Sequence, residues 1–179
     1  MMGDDLDRMR HPDEARRTIL ERATLLPAEE APLAEAAGRV LAQDLVAEED
    51  APPFAAATMD GYAVVAGDPS PWREIVGRQT AGFMLGLEVS DGHAVAITTG
   101  SPMPPGADAV IPVEETEESD GHVVVHQDDV APGTNVRPRG SDLKKGALVL
   151  AAGTTLGPAE VGLAAGLGYA RVPVRRQAR

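Results

Sequence analysis

The chain has 179 residues, 43% of them hydrophobic, no cysteine and a formal net charge of -12. That length and composition support a packed core in one sizeable domain or two small ones, and exclude disulfides, thiolate metal sites and cysteine nucleophiles. An acidic surface repels phosphate, so nucleic-acid binding is not expected, and no apolar run approaches the ~20 residues that span a bilayer.

The start, Met1-Met2-Gly3-Asp4-Asp5, is acidic with no apolar run behind it, unlike a secretory signal. A soluble cytoplasmic protein is the expectation. Aromatic residues are 3% of the chain, so the core must come mostly from Val, Leu, Ile and Ala. With 19 Gly and 15 Pro, turns and short strands are favoured over long helices.

Residues 12–26 read as a helix. Pro12 suits its first turn, Asp13 and Glu14 suit its positive end, and Ala15, Ile19, Ala23 and Leu26 form a stripe that Pro27 stops. A short helix is expected at 33–37, ended by Gly38, and a strand over 39–47. Ala51-Pro52-Pro53 marks a boundary. Beyond it the chain reads as β-rich, with short apolar runs at 75–77, 94–97, 109–113 and 122–126. Glu117-Glu118-Ser119-Asp120-Gly121 reads as the polar turn of a hairpin. After residue 139 the spacing predicts a strand at 147–150, a helix from 157 to about 168 and a last strand at 171–174. The basic end, from Val172 to Arg179, reads as a linker cut short or as a frayed tail. No repeat of 20–50 residues is visible.

Three stretches could carry chemistry. In 53–64 a flexible small-residue run, including Ala55, Ala56 and Ala57, ends in Thr58-Met59-Asp60-Gly61-Tyr62. Gly61 is expected to allow the turn that displays the Asp60 carboxylate. In 98–114 a strand delivers Thr98 and Thr99 into a Pro/Gly loop that could turn the Thr99 hydroxyl and the Gly100 amide toward an anion; plain punctuation between strands is the alternative. In 133–146 four cations, Arg137, Arg139, Lys144 and Lys145, surround Asp142. They could neutralise phosphate while Asp142 ligates Mg²⁺, or form a solvated loop with local pairing. His122 and His126 would lie roughly 13 Å apart on a strand, too far to share a metal. The pairs Glu114-Glu115 and Glu117-Glu118 read as a solvated face. No Gly-x-Ser-x-Gly, Walker or dinucleotide glycine motif is present.

Met59-Asp60-Gly61-Tyr62-Ala63 resembles the signature of the N-terminal region of the MoeA/gephyrin family, the molybdopterin molybdotransferases. Residues 98–114 are similar to the family's Thr-Gly-x-Pro-x-Pro-x-Gly-x-Asp-x-Val-x-x-x-Glu pattern, and 135–142 to its Asn-x-Arg-x-x-Gly-x-Asp pattern. The run 146–168 continues the resemblance as scaffold. The resemblance implies a mixed α+β, predominantly β fold: a split lobe of 1–52 and 139–179 carrying an inserted, barrel-like β-rich lobe of 53–138. It implies enzymes that join molybdate to adenylylated molybdopterin and release AMP, assisted by Mg²⁺. Asp60, Thr99 and Asp142 match the catalytic positions, with Asp60 and Asp142 as metal ligands. Gly61, Gly100, Arg137 and Arg139 would bind substrate, and Asp60 and Thr99 should share one cleft. A homodimer through 161–168 and a molybdopterin adenylyltransferase-like partner are implied as well. Two departures stand out. Ala55, Ala56 and Ala57 replace residues that are commonly polar in the family, and the family's α/β domain with its Gly-Asp-Glu motif is absent. The chain is therefore expected to be either the N-terminal part of a molybdotransferase, inactive alone, or a stand-alone dimerisation or partner-binding module.

Overall fold

The computed structural model describes residues 11–83, 85–126 and 130–178. The acidic start lies outside them. Among the described residues two helices and twelve strands make a mixed α+β, predominantly β fold. They are α1 (Pro12–Arg22), β1 (Ala28–Pro32), β2 (Leu45–Val46), β3 (Ala56–Ala57), β4 (Gly61–Val64), β5 (Trp72–Gln79), β6 (His93–Ile97) and β7 (Ala109–Pro112). There follow β8 (Thr116–Ser119), β9 (His122–Val125), β10 (Val136–Arg137), β11 (Leu148–Leu150), α2 (Pro158–Gly166) and β12 (Arg171–Arg175). The chain forms two compact units, one from the described residues of 1–45 and 150–179, the other from 46–149.

In the first unit β1 pairs antiparallel with β12, Ala31 opposite Val172. Leu41, Leu156, Val172 and Val174 fill its core with Ala36 and Ala164, all at most 1% exposed. Helix α1 ends at Arg22, short of Pro27, because the Ala23 backbone turns extended, and it buries none of its residues. The helix expected at 33–37 is a single 3-10 turn, Leu33–Glu35. The strand expected over 39–47 is reduced to isolated bridges, Val40 with Thr155 and Leu41 with Val174, and the two residues of β2. Its apolar residues do not alternate, so they cannot all face one core. The basic end is held as far as Arg176: Arg175 closes β12, and Arg176 meets Glu29 at 3.2 Å beside Arg39 at 2.5 Å.

The second unit is built on a six-stranded sheet in the order β7-β4-β6-β5-β9-β8. The β5–β6 pair is parallel and the others antiparallel. The outermost strands, β7 and β8, are joined by one 3-10 turn, Val113–Glu115. Six flat strands would separate those edges by roughly 24 Å, whereas three 3-10 residues span about 6 Å. The sheet therefore curls until its edges approach, and Tyr62 on β4 bonds Glu118 on β8 across the closure at 2.5 Å. Both faces are buried. Tyr62, Val64, Ala94, Ala96 and Ile111 pack on one side, and Ala63, Val95, Ile97 and Val110 on the other. Burial on both faces explains why these strands read as continuous apolar runs. The hairpin turn is only Asp120-Gly121, with φ of 50° and 77°, so Glu117, Glu118 and Ser119 lie in β8. Residues 46–52 and 139–149, which the sequence assigns to the split lobe, pair with each other inside this unit through Ala47 with Ala147 and Ala51 with Leu143. No helix among the described residues is long and apolar enough to cross a membrane.

Candidate functional site

Strand β3 organises the site. The three alanines are not a flexible run: Ala56 and Ala57 are buried and bonded on both edges. On one edge Ala57 N donates to Ser101 O at 3.0 Å and Gly100 N donates to Ala57 O at 2.8 Å. On the other edge Ala56 faces Arg137 and Ala57 faces Val136 in β10. Just beyond, Thr58 N donates to Asn135 O at 2.9 Å. Small apolar side chains suit that sandwiched position, where a polar group would need its own partner. Loop 58–60 and the loops either side of β3 are thus drawn to one strand.

Asp60 lies between β3 and β4, exposed to solvent. Its Oδ1 accepts two hydrogen bonds from one residue, Thr99 N at 2.7 Å and Thr99 Oγ1 at 2.8 Å. Its main-chain oxygen takes Val113 N at 3.1 Å. Both Thr99 donors stabilise the charged carboxylate, the amide most, and hold it below the usual carboxylate range. Among the described residues nothing donates to Oδ2. The structure thus brings Asp60 and Thr99 into direct contact across 39 residues of chain.

The two glycines work differently from each other. Gly61 does not have a positive φ and makes no special turn. A Cβ there would fall on the Ile111 carbonyl of β7, so glycine permits close strand approach. Gly100 does turn left-handed, at φ +80°. Its amide is spent on Ala57 and is not aimed at an anion.

Asp142 and the two arginines form a separate cluster. Asp142 takes Arg137 Nη2 on Oδ2 and Ser141 Oγ on Oδ1 at 3.2 Å. The Arg137 guanidinium is the main reason its carboxyl lies below the ordinary range. Arg139 is engaged by Asp50, whose Oδ2 accepts Arg139 Nε at 2.6 Å while Oδ1 accepts Lys145 N at 2.8 Å. The Lys145 amide, then Arg139, holds the Asp50 carboxyl low. Asp50 was not singled out from the sequence. It lies in an acidic run, Glu48-Glu49-Asp50, and only the fold shows that it anchors the cationic loop. Asn135 and Gly140 are two of that loop's positive-φ corners, at 53° and 66°. Among the described residues no hydrogen bond or ion pair joins this cluster to Asp60 or Thr99, and no group of three His, Cys, Asp or Glu could hold a metal. Mg²⁺ commonly takes one or two carboxylates and completes its shell with water and phosphate. Asp60 Oδ2 fits that demand; at Asp142 the Arg137 guanidinium on Oδ2 competes with a cation.

His122 stacks at a tilt on exposed Trp72, ring centroids 5.7 Å apart, and His126 follows β9 at 3.6 Å from Glu117. Glu118 in the acidic run is held by Arg78 at 2.7 Å and by Tyr62.

A split unit interrupted by a curled six-stranded unit, with an aspartate pinned by a threonine at the sheet edge, defines a two-unit, predominantly β region. The family model for the MoeA N-terminal region (domain I and II) matches residues 10–168, and the chain belongs to that family. It is 38% identical over 176 residues to molybdopterin molybdenumtransferase 2 of Mycobacterium tuberculosis, covering 93% of this chain and 42% of that protein. It is 32% identical to gephyrin of Dictyostelium discoideum over 87% of this chain and 24% of that one. Two structures of the molybdopterin biosynthesis MoeA protein of Pyrococcus horikoshii superpose with TM-scores of 0.87 and 0.81, at 32% and 38% identity. They cover 94% and 91% of this chain and 45% of each of those chains. The chain thus spans less than half the length of these relatives.

Proposed function

We propose that this chain supplies the Asp60–Thr99 site of a molybdopterin molybdotransferase, which inserts molybdate into adenylylated molybdopterin in molybdenum cofactor biosynthesis. The observation that carries the reading is the Asp60 carboxylate, with Oδ1 fixed by both Thr99 donors and Oδ2 open, at positions that match the family's motifs. Relatives named molybdopterin molybdenumtransferase support it. Mg²⁺, when bound, would offset the negative charge of phosphate and molybdate. Asp60 is the residue that would hold it, and at Asp142 the cation would compete with Arg137. Thr99 keeps Asp60 ionised and oriented. Arg137 and Arg139 would contact an anion by exchanging Asp142 and Asp50 for it, a trade between equivalent charge-assisted bonds. Gly100 shapes the Thr99 loop and Gly61 lets β7 approach beside Asp60.

The test is cofactor formation from adenylylated molybdopterin and molybdate. The 179-residue chain alone is expected to give no turnover, since reacting groups must be held in near-attack geometry and its relatives devote more than half their length to other regions. Joined to that remaining length, it should turn over, and Asp60→Ala should lower the rate by about a hundredfold or more. A full rate in Asp60→Ala would remove the proposal.

One observation favours a second reading as a dimerisation or partner-binding module. Helix α1 exposes Ile19 at 68% and Leu20 at 60%. The partners proposed are a second copy of the chain and a molybdopterin adenylyltransferase-like protein that supplies the substrate.

A further inference from the structure

Gln79 ends β5 and is 1% exposed, yet it is fully used as a hydrogen-bonding group. Its Nε2 donates to Thr80 O at 3.1 Å and to Phe83 O, and its Oε1 accepts Leu85 N at 3.0 Å. Its main-chain oxygen accepts Thr98 N at 3.3 Å and lies 3.5 Å from the Ser101 hydroxyl, itself buried and 2.9 Å from Thr98 Oγ1. One residue therefore holds two loops.

The sheet register says where those loops lie. Gly61, Ile97 and Gln79 stand side by side on β4, β6 and β5. Strand β4 starts at this row, whereas β6 and β5 end at it. The next residues outward are therefore Asp60, Thr98 with Thr99, and Thr80. Neighbouring strands are about 4.8 Å apart, so β5 lies about 10 Å from β4. The segment after Gln79 leaves the sheet on the same edge as Asp60, carrying Phe83 70% exposed next to Gly82 at φ +86°.

We infer that Gln79 is a positioning residue: its side-chain clasp on Thr80, Phe83 and Leu85 and its main-chain hold on Thr98 fix the loop that presents Thr99 to Asp60, and make Phe83 a wall of that site. The clasp is three bonds from one buried amide to backbone groups of a loop that is otherwise solvated. Without it those groups can turn to water at little cost, so the loop opens while the sheet stays paired. The functional consequence rests on the reading of Asp60 and Thr99 as the site, whereas the geometry does not.

The test uses amide resonances of the 179-residue chain and needs no turnover. Gln79→Met keeps the volume and removes the clasp. The Thr99 amide, bonded to a carboxylate, should shift upfield, and protection from hydrogen exchange at Thr98, Thr99 and Leu85 should fall by about tenfold or more, with Ala63 and Val64 of β4 unchanged. Leu85→Pro breaks the same clasp from the exposed side, without touching the core, and should move the Thr99 amide in the same direction. A Thr99 amide unchanged in both variants overturns the inference. So does loss of protection in β4 together with Thr99 in both, which is general loosening rather than positioning. A responsive Thr99 amide in a protein whose extended form is inactive would count against the proposed activity and leave Gln79 as assigned.

Discussion

An exposed carboxylate is ordinarily free to rotate; Asp60 is not, because one neighbour gives it both an amide and a hydroxyl. Its folded value lies below its unfolded one, so its contribution to stability is present above the unfolded value of ~3.9 and is lost as pH falls through the folded value. Asp50 and Asp142 share that sign. Thr99→Val removes the hydroxyl and keeps the amide, so the Asp60 carboxyl should move part of the way back toward the ordinary value. A carbon-detected titration of Asp60 checks this, and an unmoved midpoint would show that the hydroxyl bond is not formed. The glycines make a second prediction. Gly61→Ala drives a Cβ into the Ile111 carbonyl and should cost about 3 kcal/mol, whereas Gly100→Ala meets open space and should cost about 1 kcal/mol for its left-handed φ. Thermal denaturation of both variants decides it; equal losses would contradict the geometry. The resemblance to the family's motifs marked Asp60, Thr99 and both glycines. It could not show why Gly61 is needed, because close approach of β7 is a tertiary fact. The local pairing of Arg137 with Asp142 was one reading of the sequence, whereas the hold of Asp50 on Arg139, 89 residues away, could not be read there.

At the scale of elements, the hairpin of β8 and β9 returns the sheet's last edge to its first. Its Asp120-Gly121 turn has both φ values positive, the type that matches the twist of paired strands. The closure is tied by the Tyr62 hydroxyl, which burial first and then Glu118 push up to about 12. Because the folded value is raised, this contribution is complete below pH 10 and is lost as pH rises from 10 toward 12. Tyr62→Phe should therefore cost on the order of 1 kcal/mol at neutral pH and flatten the stability loss in that alkaline window. An unchanged alkaline profile would mean that the bond to Glu118 carries no weight. Strands β5, β6, β7 and β9 of this sheet were legible because apolar runs between Gly, Pro and Asp have few other uses, whereas polar β8 read as a turn; α2 was legible because Pro158 and Glu160 mark its first turn. Strand β1 was not legible. Ala28-Glu29-Glu30-Ala31-Pro32 has no strand pattern, and its extension is imposed by β12, more than a hundred residues away. Strand β3 was hidden for the same reason: three alanines carry no period, and its partners, β10 and the loop at Gly100–Ser101, are distant in the chain.

For the whole molecule, two surfaces bear on association. The α2 segment chosen from sequence as the dimer face is partly spent inside its own unit, where Ala164 is buried and Val161 packs on the core. Helix α1, by contrast, has eleven residues, none buried, and a helix that short is marginal in water without a covering surface. A dimer should therefore sediment at high micromolar concentration, and Leu20→Glu should shift it toward monomer. Monomer alone across that range would contradict self-association. The central claim is that Asp60 and Thr99 act as one catalytic unit. Its most direct test is a double-mutant cycle on cofactor formation in the protein extended to its relatives' full length, with Asp60→Asn, Thr99→Val and the pair. Residues that work as a unit are strongly non-additive. The account predicts that the double variant loses no more rate than Asp60→Asn alone, and independent, multiplying losses would contradict it.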